Sequence, residues 1–296
     1  MNDAAAPPTP PAEDQAENWP RITLVTPSYN QGRFLETALR SVLDQGYPNL
    51  EYFVMDGGSD DESLGVLMRY ADRLDHWRSG PDGGQSAAIQ EGFDRSTGQV
   101  LGWLNSDDFL LPGSLHRVGR YFRDHQESDW VVGGHVVVDP DGRAMLDRLG
   151  LPCCRWGGPV SFNSLLTCGC AFYQPAVFWR REAFIAVGGL DTSLQFCFDY
   201  DMFLRLAKRR TSGYLRNFLA AFRRHPDSKS STLGRVRREE DELIHRRYEP
   251  PRQFRFWRQC LRAVHTTRRR ARGRCIQAGL ALGMVRCPLS IGTETV

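Results

Sequence analysis

Apolar residues in the first part of the chain fall into short blocks that switch between two periods. Ile22-Thr23-Leu24-Val25-Thr26 is a β-rich run that Pro27 ends. Phe34, Leu35, Ala38, Leu39 and Val42 then recur at helical spacing, and Gly46-Tyr47-Pro48 closes that helix. A second strand, Tyr52-Phe53-Val54-Met55, runs into Asp56-Gly57-Gly58-Ser59-Asp60-Asp61, and the helix after it turns Leu64, Leu67, Met68 and Ala71 inward. A glycine-rich turn over Gly80 to Gly84, a helix through Phe93 and the apolar run Val100 to Leu104 follow. Leu115 to Phe122 is helical, and Trp130 to Val138 with the turn Asp139-Pro140-Asp141-Gly142 reads as a hairpin.

Strands that alternate with helices, each followed by an acidic or glycine-rich loop, predict an α/β fold with a parallel sheet of βαβ units. Three such loops follow three consecutive strands: Thr26 to Asn30, Asp56 to Asp61, and Asn105-Ser106-Asp107-Asp108. In a parallel sheet they converge on one edge, where a nucleotide can lie across them. Neighbouring carboxylates at such an edge suit a hard divalent cation, Mn²⁺ or Mg²⁺, although Asn, Ser and Asp also form ordinary turns. Neither a G-x-G-x-x-G nor a Walker sequence is present, which argues against a dinucleotide enzyme or a P-loop NTPase. Without a Walker lysine, a metal on Asp107 and Asp108 would balance phosphate charge.

Composition adds bounds rather than chemistry. At 296 residues and 41% hydrophobic content the chain supports a substantial core. Its net charge of +3 is uneven: 14 arginines against five acids lie between Arg235 and Arg274. Eight cysteines without paired C-x-x-C spacing argue against a zinc site. The absence of an apolar leader makes a cytoplasmic setting with reduced thiols the expectation. Residues 1–19, rich in Ala, Pro and acid, read as a disordered lead-in, and no apolar run is long enough to span a bilayer.

The strings T-P-S-Y-N-Q-G-R-F-L, D-G-G-S-D-D and G-Q-V-L-G-W-L-N-S-D-D resemble the family 2 glycosyltransferases of the GT-A fold over roughly residues 22–230. The resemblance implies a Rossmann-like, mostly parallel mixed sheet flanked by helices, and inverting transfer from a nucleotide-diphosphate sugar to a glycan or lipid-linked acceptor. It implies a donor pocket of Pro27, Tyr29, Asn30, Asp56, Gly58, Ser59, Asp82, Gln85, Asn105 and Asp107. Asn105 stands where the family more often has an aspartate, so it would hydrogen-bond ribose or phosphate. Asp107, Asp108 and His225 are the expected metal ligands. Arg223 to Ser230 resembles the closing R-x-H-x-x-S-K-S segment, and places Arg224, His225, Lys229 and Ser230 at the diphosphate. Gln174 and the F-D-Y-D string with Asp199, Tyr200 and Asp201 resemble the acceptor side. Asp199 is the expected base, because inversion needs a carboxylate to take the acceptor hydroxyl's proton. Asp201, two residues on, points to another face and reads as a helix cap or supporting contact.

One departure stands out. Where relatives carry G-Q-S-D-A-I-N-K-G, this chain has Ala87 for an acid and Glu91 for a base. A carboxylate beside a diphosphate is unfavourable unless it turns away or meets an arginine. The expected domains are the lead-in, a glycosyltransferase domain over 20–234 (nucleotide half 20–112, acceptor half 113–234), and a basic helical extension over 235–296. In that extension Phe254, Trp257, Leu261 and Val264 share a helical face among arginines. Such a helix either lies peripherally on the inner face of an anionic membrane or packs on the catalytic domain. Two rivals remain at this stage. A nucleotidyltransferase would carry a basic glycine-rich loop after the first strand, whereas here Arg33 is that loop's only base. A non-catalytic sugar-nucleotide or nucleic-acid binding protein rests on the arginine-rich tail and Glu91 alone, and nucleic acid is not the expected partner.

Overall fold

The computed structural model describes residues 18–148, 150–155, 158–248 and Leu289. The first seventeen residues of the expected lead-in, and the helical face of Phe254, Trp257, Leu261 and Val264, lie outside them. In chain order the elements are β1 (Ile22–Ser28), α1 (Gly32–Leu43), β2 (Leu50–Asp56), α2 (Ser63–Tyr70), β3 (His76–Ser79), α3 (Gln85–Arg95), β4 (Val100–Trp103), β5 (Phe109–Leu110) and α4 (Ser114–Asp124). They continue with β6 (Trp130–Val138), β7 (Cys154–Arg155), α5 (Phe162–Cys168), β8 (Val177–Arg180), α6 (Arg181–Ala186), α7 (Phe198–Arg209), β9 (Gly213–Arg223), α8 (Lys229–Thr232) and α9 (Gly234–Tyr248).

One sheet carries the order β3-β2-β1-β4-β8-β6-β9-β5, with β7 on β6. The first four strands are parallel, as the alternation predicts. The short β3 stands between the second and third strands read from the sequence, so those three are not consecutive. The second half departs from that rule, because β8 runs antiparallel between β4 and β6. Strand order reverses at β1 and β4, which opens a crevice beyond their carboxyl ends. The loops carrying Asn30 and Asp107 flank it.

Burial follows periodicity in most elements. Phe34, Leu35, Ala38, Leu39 and Val42 of α1 are all buried, and β1, β2 and β4 are buried along nearly their whole length, as strands covered on both faces must be. Helix α2 differs from expectation: Leu64 and Met68 are exposed, and Ser63, Val66 and Leu67 face inward. The phase is set by Asp61, whose carboxylate accepts from Ser63 N (2.9 Å) and Gly32 N (2.8 Å) and so fixes how the helix starts.

Pro27 does not end its strand. The Val25 carbonyl faces β4 and accepts from Leu104 N. Position 27 faces the same way, past the last β1–β4 pair of Val25 and Trp103, where no partner requires an N–H. The expected hairpin forms at Asp139–Gly142, with Val138 bridging Ala144, while β6 itself is a central strand between β8 and β9.

Two expected boundaries move. Trp19, placed in the lead-in, packs edge-on against Tyr47 at 5.6 Å. At the other end the ordered fold runs past residue 234, because α9 buries Ile244 completely in the core beneath α7. No helix among the described residues is long and apolar enough to cross a membrane.

Candidate active site

On the donor side, two loops are tied together. Asn30 adopts φ 52°, a left-handed conformation that Asn tolerates. Its N–H donates to Ser59 Oγ (2.8 Å), and its Oδ1 accepts from Asp60 N (3.0 Å). Asp56 is fully buried and accepts from Gly58 N (3.1 Å), Ser59 N (3.0 Å), Ser79 Oγ (2.6 Å) and Ser59 Oγ. Its Oδ2 takes three of these bonds and shapes the loop, while Oδ1 takes only the one from Ser59 Oγ. What faces the crevice is Tyr29, 64% exposed, and Asp82, which also accepts from Gly84 N (2.7 Å). They flank Gly57, where a Cβ would lie 3.1 Å from Asp82 Oδ2 and 3.3 Å from the Tyr29 ring. The bare backbone there keeps open a slot between an aromatic ring and a carboxylate.

The loop after β4 meets the segment after β9. His225 Nε2 lies 3.0 Å from Asp107 Oδ2, with Phe34 beneath the imidazole at a ring distance of 4.8 Å. Arg223 Nε donates to the Asp107 carbonyl (2.7 Å), and its buried guanidinium sits 4.7 Å over the Phe34 ring. Ser228 and Ser231 both donate to the His225 carbonyl, which folds the closing segment on itself. Arg224, expected at the diphosphate, is exposed and bonds through its backbone to Val138. Ser230 is also exposed and reaches only Ser228 Oγ (3.1 Å).

The expected three-residue metal set is not assembled. Asp108 turns away from Asp107: its Oδ1 accepts from Arg223 N (2.9 Å) and its Oδ2 faces Asn105 Nδ2 (3.4 Å). Burial and the charge of Asp107 push the Asp108 carboxyl well above the usual range, against the pull of the Arg223 N–H. Among the described residues no cluster of three or more His, Cys, Asp or Glu side chains could hold a metal. Asp107, 18% exposed, and His225 are the pair left together at the crevice edge. One carboxylate and one imidazole could supply two contacts to a divalent cation such as Mn²⁺, the rest of its shell coming from other groups.

Asn105 is likewise engaged within the protein. Its Oδ1 accepts from Gln85 Nε2 (2.7 Å), and Gln85 Oε1 accepts from Lys229 Nζ (2.8 Å). The ammonium lies 5.5 Å from the centre of the Phe198 ring, one residue before Asp199.

Asp199 sits in the first turn of α7, half-buried, and accepts from Tyr200 N (2.6 Å). Loss of hydration raises its carboxyl from 3.8 to about 6, and the Tyr200 N–H and Lys229 oppose that rise. The neighbouring F-D-Y-D residues serve the helix. Tyr200 Oη donates to the Leu165 carbonyl (3.0 Å). Asp201 is 2% exposed and pairs with Arg205 (2.8 Å) and Arg247 (3.5 Å), a supporting contact and not a cap. Gln174 donates to the Trp103 carbonyl (2.7 Å) directly below the Asn105 loop.

Two residues outside the expected set matter here. Arg223 alternates with exposed Arg224 at the end of β9, and strand periodicity favours it as the buried cation of the pair. Glu240 had no such signal. From α9 it accepts from Gln195 N (2.6 Å), Phe196 N (2.9 Å) and Cys197 N (2.7 Å), the turn that starts the helix of Asp199. The Glu91 carboxylate does meet arginines: Arg78 holds it at 2.8 Å and Arg95 at 3.2 Å.

The glycosyl transferase family 2 model matches residues 23–170, half of the chain, and the chain belongs to that family of transferases. Among curated relatives, an uncharacterized glycosyltransferase of Rickettsia typhi is 23% identical over 236 residues, 76% of this chain and 70% of that protein. A PGL/p-HBAD biosynthesis glycosyltransferase of Mycobacterium tuberculosis is 28% identical over 63% of this chain and 69% of its own. Solved structures share the GT-A fold. S. aureus TarS matches with a TM-score of 0.56 at 16% identity, over 76% of this chain and 39% of that one. The mannosyltransferase PcManGT of Pyrobaculum calidifontis, solved with GDP-Man and Mn²⁺, matches with a TM-score of 0.55 at 17% identity, over 91% of this chain and 82% of that one.

Proposed function

We propose that this glycosyltransferase moves a sugar from a nucleoside-diphosphate sugar to an acceptor hydroxyl with inversion. Asp199 acts as base, and Asp107 with His225 forms the edge for a divalent cation. The observation that carries the reading is the contact of His225 with Asp107 in the crevice where Asp199 also stands, joined by Lys229, Gln85 and Asn105. The structures of S. aureus TarS with UDP-GlcNAc and of PcManGT with GDP-Man and Mn²⁺ give the same fold a donor of this class.

Tyr29 and Asp82 border the nucleoside slot, and the tied loops of Asn30 and Asp56 hold it open without needing a ligand. A cation held by Asp107 and His225 would neutralise charge on the departing diphosphate. Asp199, with its carboxyl near 6, is charged at neutral pH yet basic enough to take a hydroxyl proton as the new bond forms. Fixed backbone donors and Glu240 keep its helix in place, so little reorganisation is needed when charge develops.

Incubation of the full chain with UDP-, GDP- and dTDP-sugars and Mn²⁺, followed by release of nucleoside diphosphate, tests this reading. Release from one donor that disappears in Asp199→Asn is expected. Release that is equal in wild type and Asp199→Asn would remove the assigned base.

A further inference from the structure

We infer that Lys229 is a positioning residue for Asp199, held against the turn that carries the base by the Gln85–Asn105 side chains so that the donor loop and the base are coupled. The inference rests on Asp199 being the base of the proposed reaction. It deepens that reading by naming a cation that favours the charged form of the base against the effect of burial.

The direction of the hydrogen-bond chain is dictated by its ends. An ammonium can only donate, so Gln85 must turn Oε1 to Lys229 and its amide N–H to Asn105 Oδ1. Asn105 is then left with its own N–H groups towards Asp108, whose Oδ2 lies 3.4 Å away. A cation thus stands at one end and the buried Asp108 carboxyl at the other, with two neutral amides between them. Each amide orientation follows from this polarity rather than from the shape of the side chain.

Asn105 is the necessary link. An aspartate at that position would add a negative charge beside Asp107 and leave Asp108 Oδ2 without its donor. With an amide there, the Lys229 charge is left to the base. Lys229 is half-buried and anchored at Gln85, with its ammonium against the Phe198 ring. Two cations favour the carboxylate form of Asp199: Lys229 from α8 and Arg237 from α9. The Cys197 thiol lies beside it in the same turn, and Glu240 acts on both Cys197 and Lys229. Lys229 is the member of this set that also touches the donor side.

The test is a pH titration of Asp199 in the full-length protein, labelled with ¹³Cγ-aspartate and followed by NMR, with Asp199→Asn identifying the resonance. Lys229→Met should move the midpoint up by about one pH unit, the scale expected when a neighbouring opposite charge is lost. Lys229→Arg should restore it. Gln85→Met, which keeps the lysine but frees it from its anchor, should move the midpoint the same way and answers the question even if Lys229→Met does not fold. An unchanged midpoint in the folded lysine or glutamine variant overturns the inference. The acid limb of donor turnover, measured in parallel, separates the two claims. A shifted midpoint with an unmoved limb keeps the coupling and removes Asp199 as base.

Discussion

Asp107 and His225, 118 positions apart in the chain, meet at 3.0 Å across the crevice between the β4 loop and the segment after β9. The contact is held from below by Phe34 and from behind by Arg223, which grips the Asp107 backbone. His225→Ala should therefore weaken Mn²⁺-dependent nucleotide binding at least tenfold while leaving metal-free binding nearly unchanged. Calorimetric titration with and without EDTA reads both, and an equal loss in the two conditions would make the imidazole a packing residue.

The charge of Asp199 costs stability, while the proposed reaction needs it. Its carboxyl is raised from 3.8 to about 6 in the folded chain, so between those values the native state holds a proton that the unfolded state has released. Stability contributed at this site accordingly falls as pH rises from about 4 to 6, and the full cost persists above. Asp199→Asn removes the cost. The variant should be more stable than wild type at pH 7.5, by an amount on the order of 2 kcal/mol, and the gap should close towards pH 4. Turnover should drop by ~10² or more. Thermal melts of both proteins across this range check the sign, and a gap that widens as pH falls would contradict it.

Glu240 makes α9 part of the catalytic fold. Glu240→Ala strips three backbone N–H groups of a charged acceptor and should cost roughly 2–3 kcal/mol, with a loss of kcat larger than any change in donor KM. Denaturant melts and steady-state kinetics test this together. Removal of the chain from Gly234 onward should be worse, because it also empties the fully buried site of Ile244.

Arg78 joins the donor loop to the departure at Glu91. Its guanidinium donates to the Asp56 and Gly80 carbonyls as well as to Glu91. Arg78→Ala should loosen the glycine-rich turn and raise donor KM several-fold. Glu91→Gln, which keeps the size of the side chain, should change it by less than twofold. A larger effect at Glu91 than at Arg78 would mean that the carboxylate itself faces the donor.

Much of this arrangement was legible in the sequence because it depends on local signals. Strands β1, β2 and β4 end in loops whose composition marks them, and the α1 face from Phe34 to Val42 is one helical stripe, whereas the short β3 carries no such signal. The misplaced parts depend on distant partners. Leu64 and Met68 have helical spacing, but the phase of α2 is set by Asp61 reaching back to Gly32. Asp108 looks like a second ligand beside Asp107 until the backbone of Arg223, far along the chain, claims its carboxylate. Glu240 lies in a charged helix that reads as solvated surface, and only the fold brings it under the turn before Asp199.

The most direct test of the central claim is a thermal-shift measurement of the intact protein with UDP, GDP, dTDP and CDP, each with Mn²⁺ and with EDTA, beside Asp107→Ala. A nucleotide at ~100 times its Kd should stabilise the fold by ~2.7 kcal/mol. The account predicts a metal-dependent rise in Tm with one of the four that Asp107→Ala abolishes. A rise of equal size in EDTA, in Asp107→Ala, or with none of the nucleotides in a well-folded wild type would contradict it.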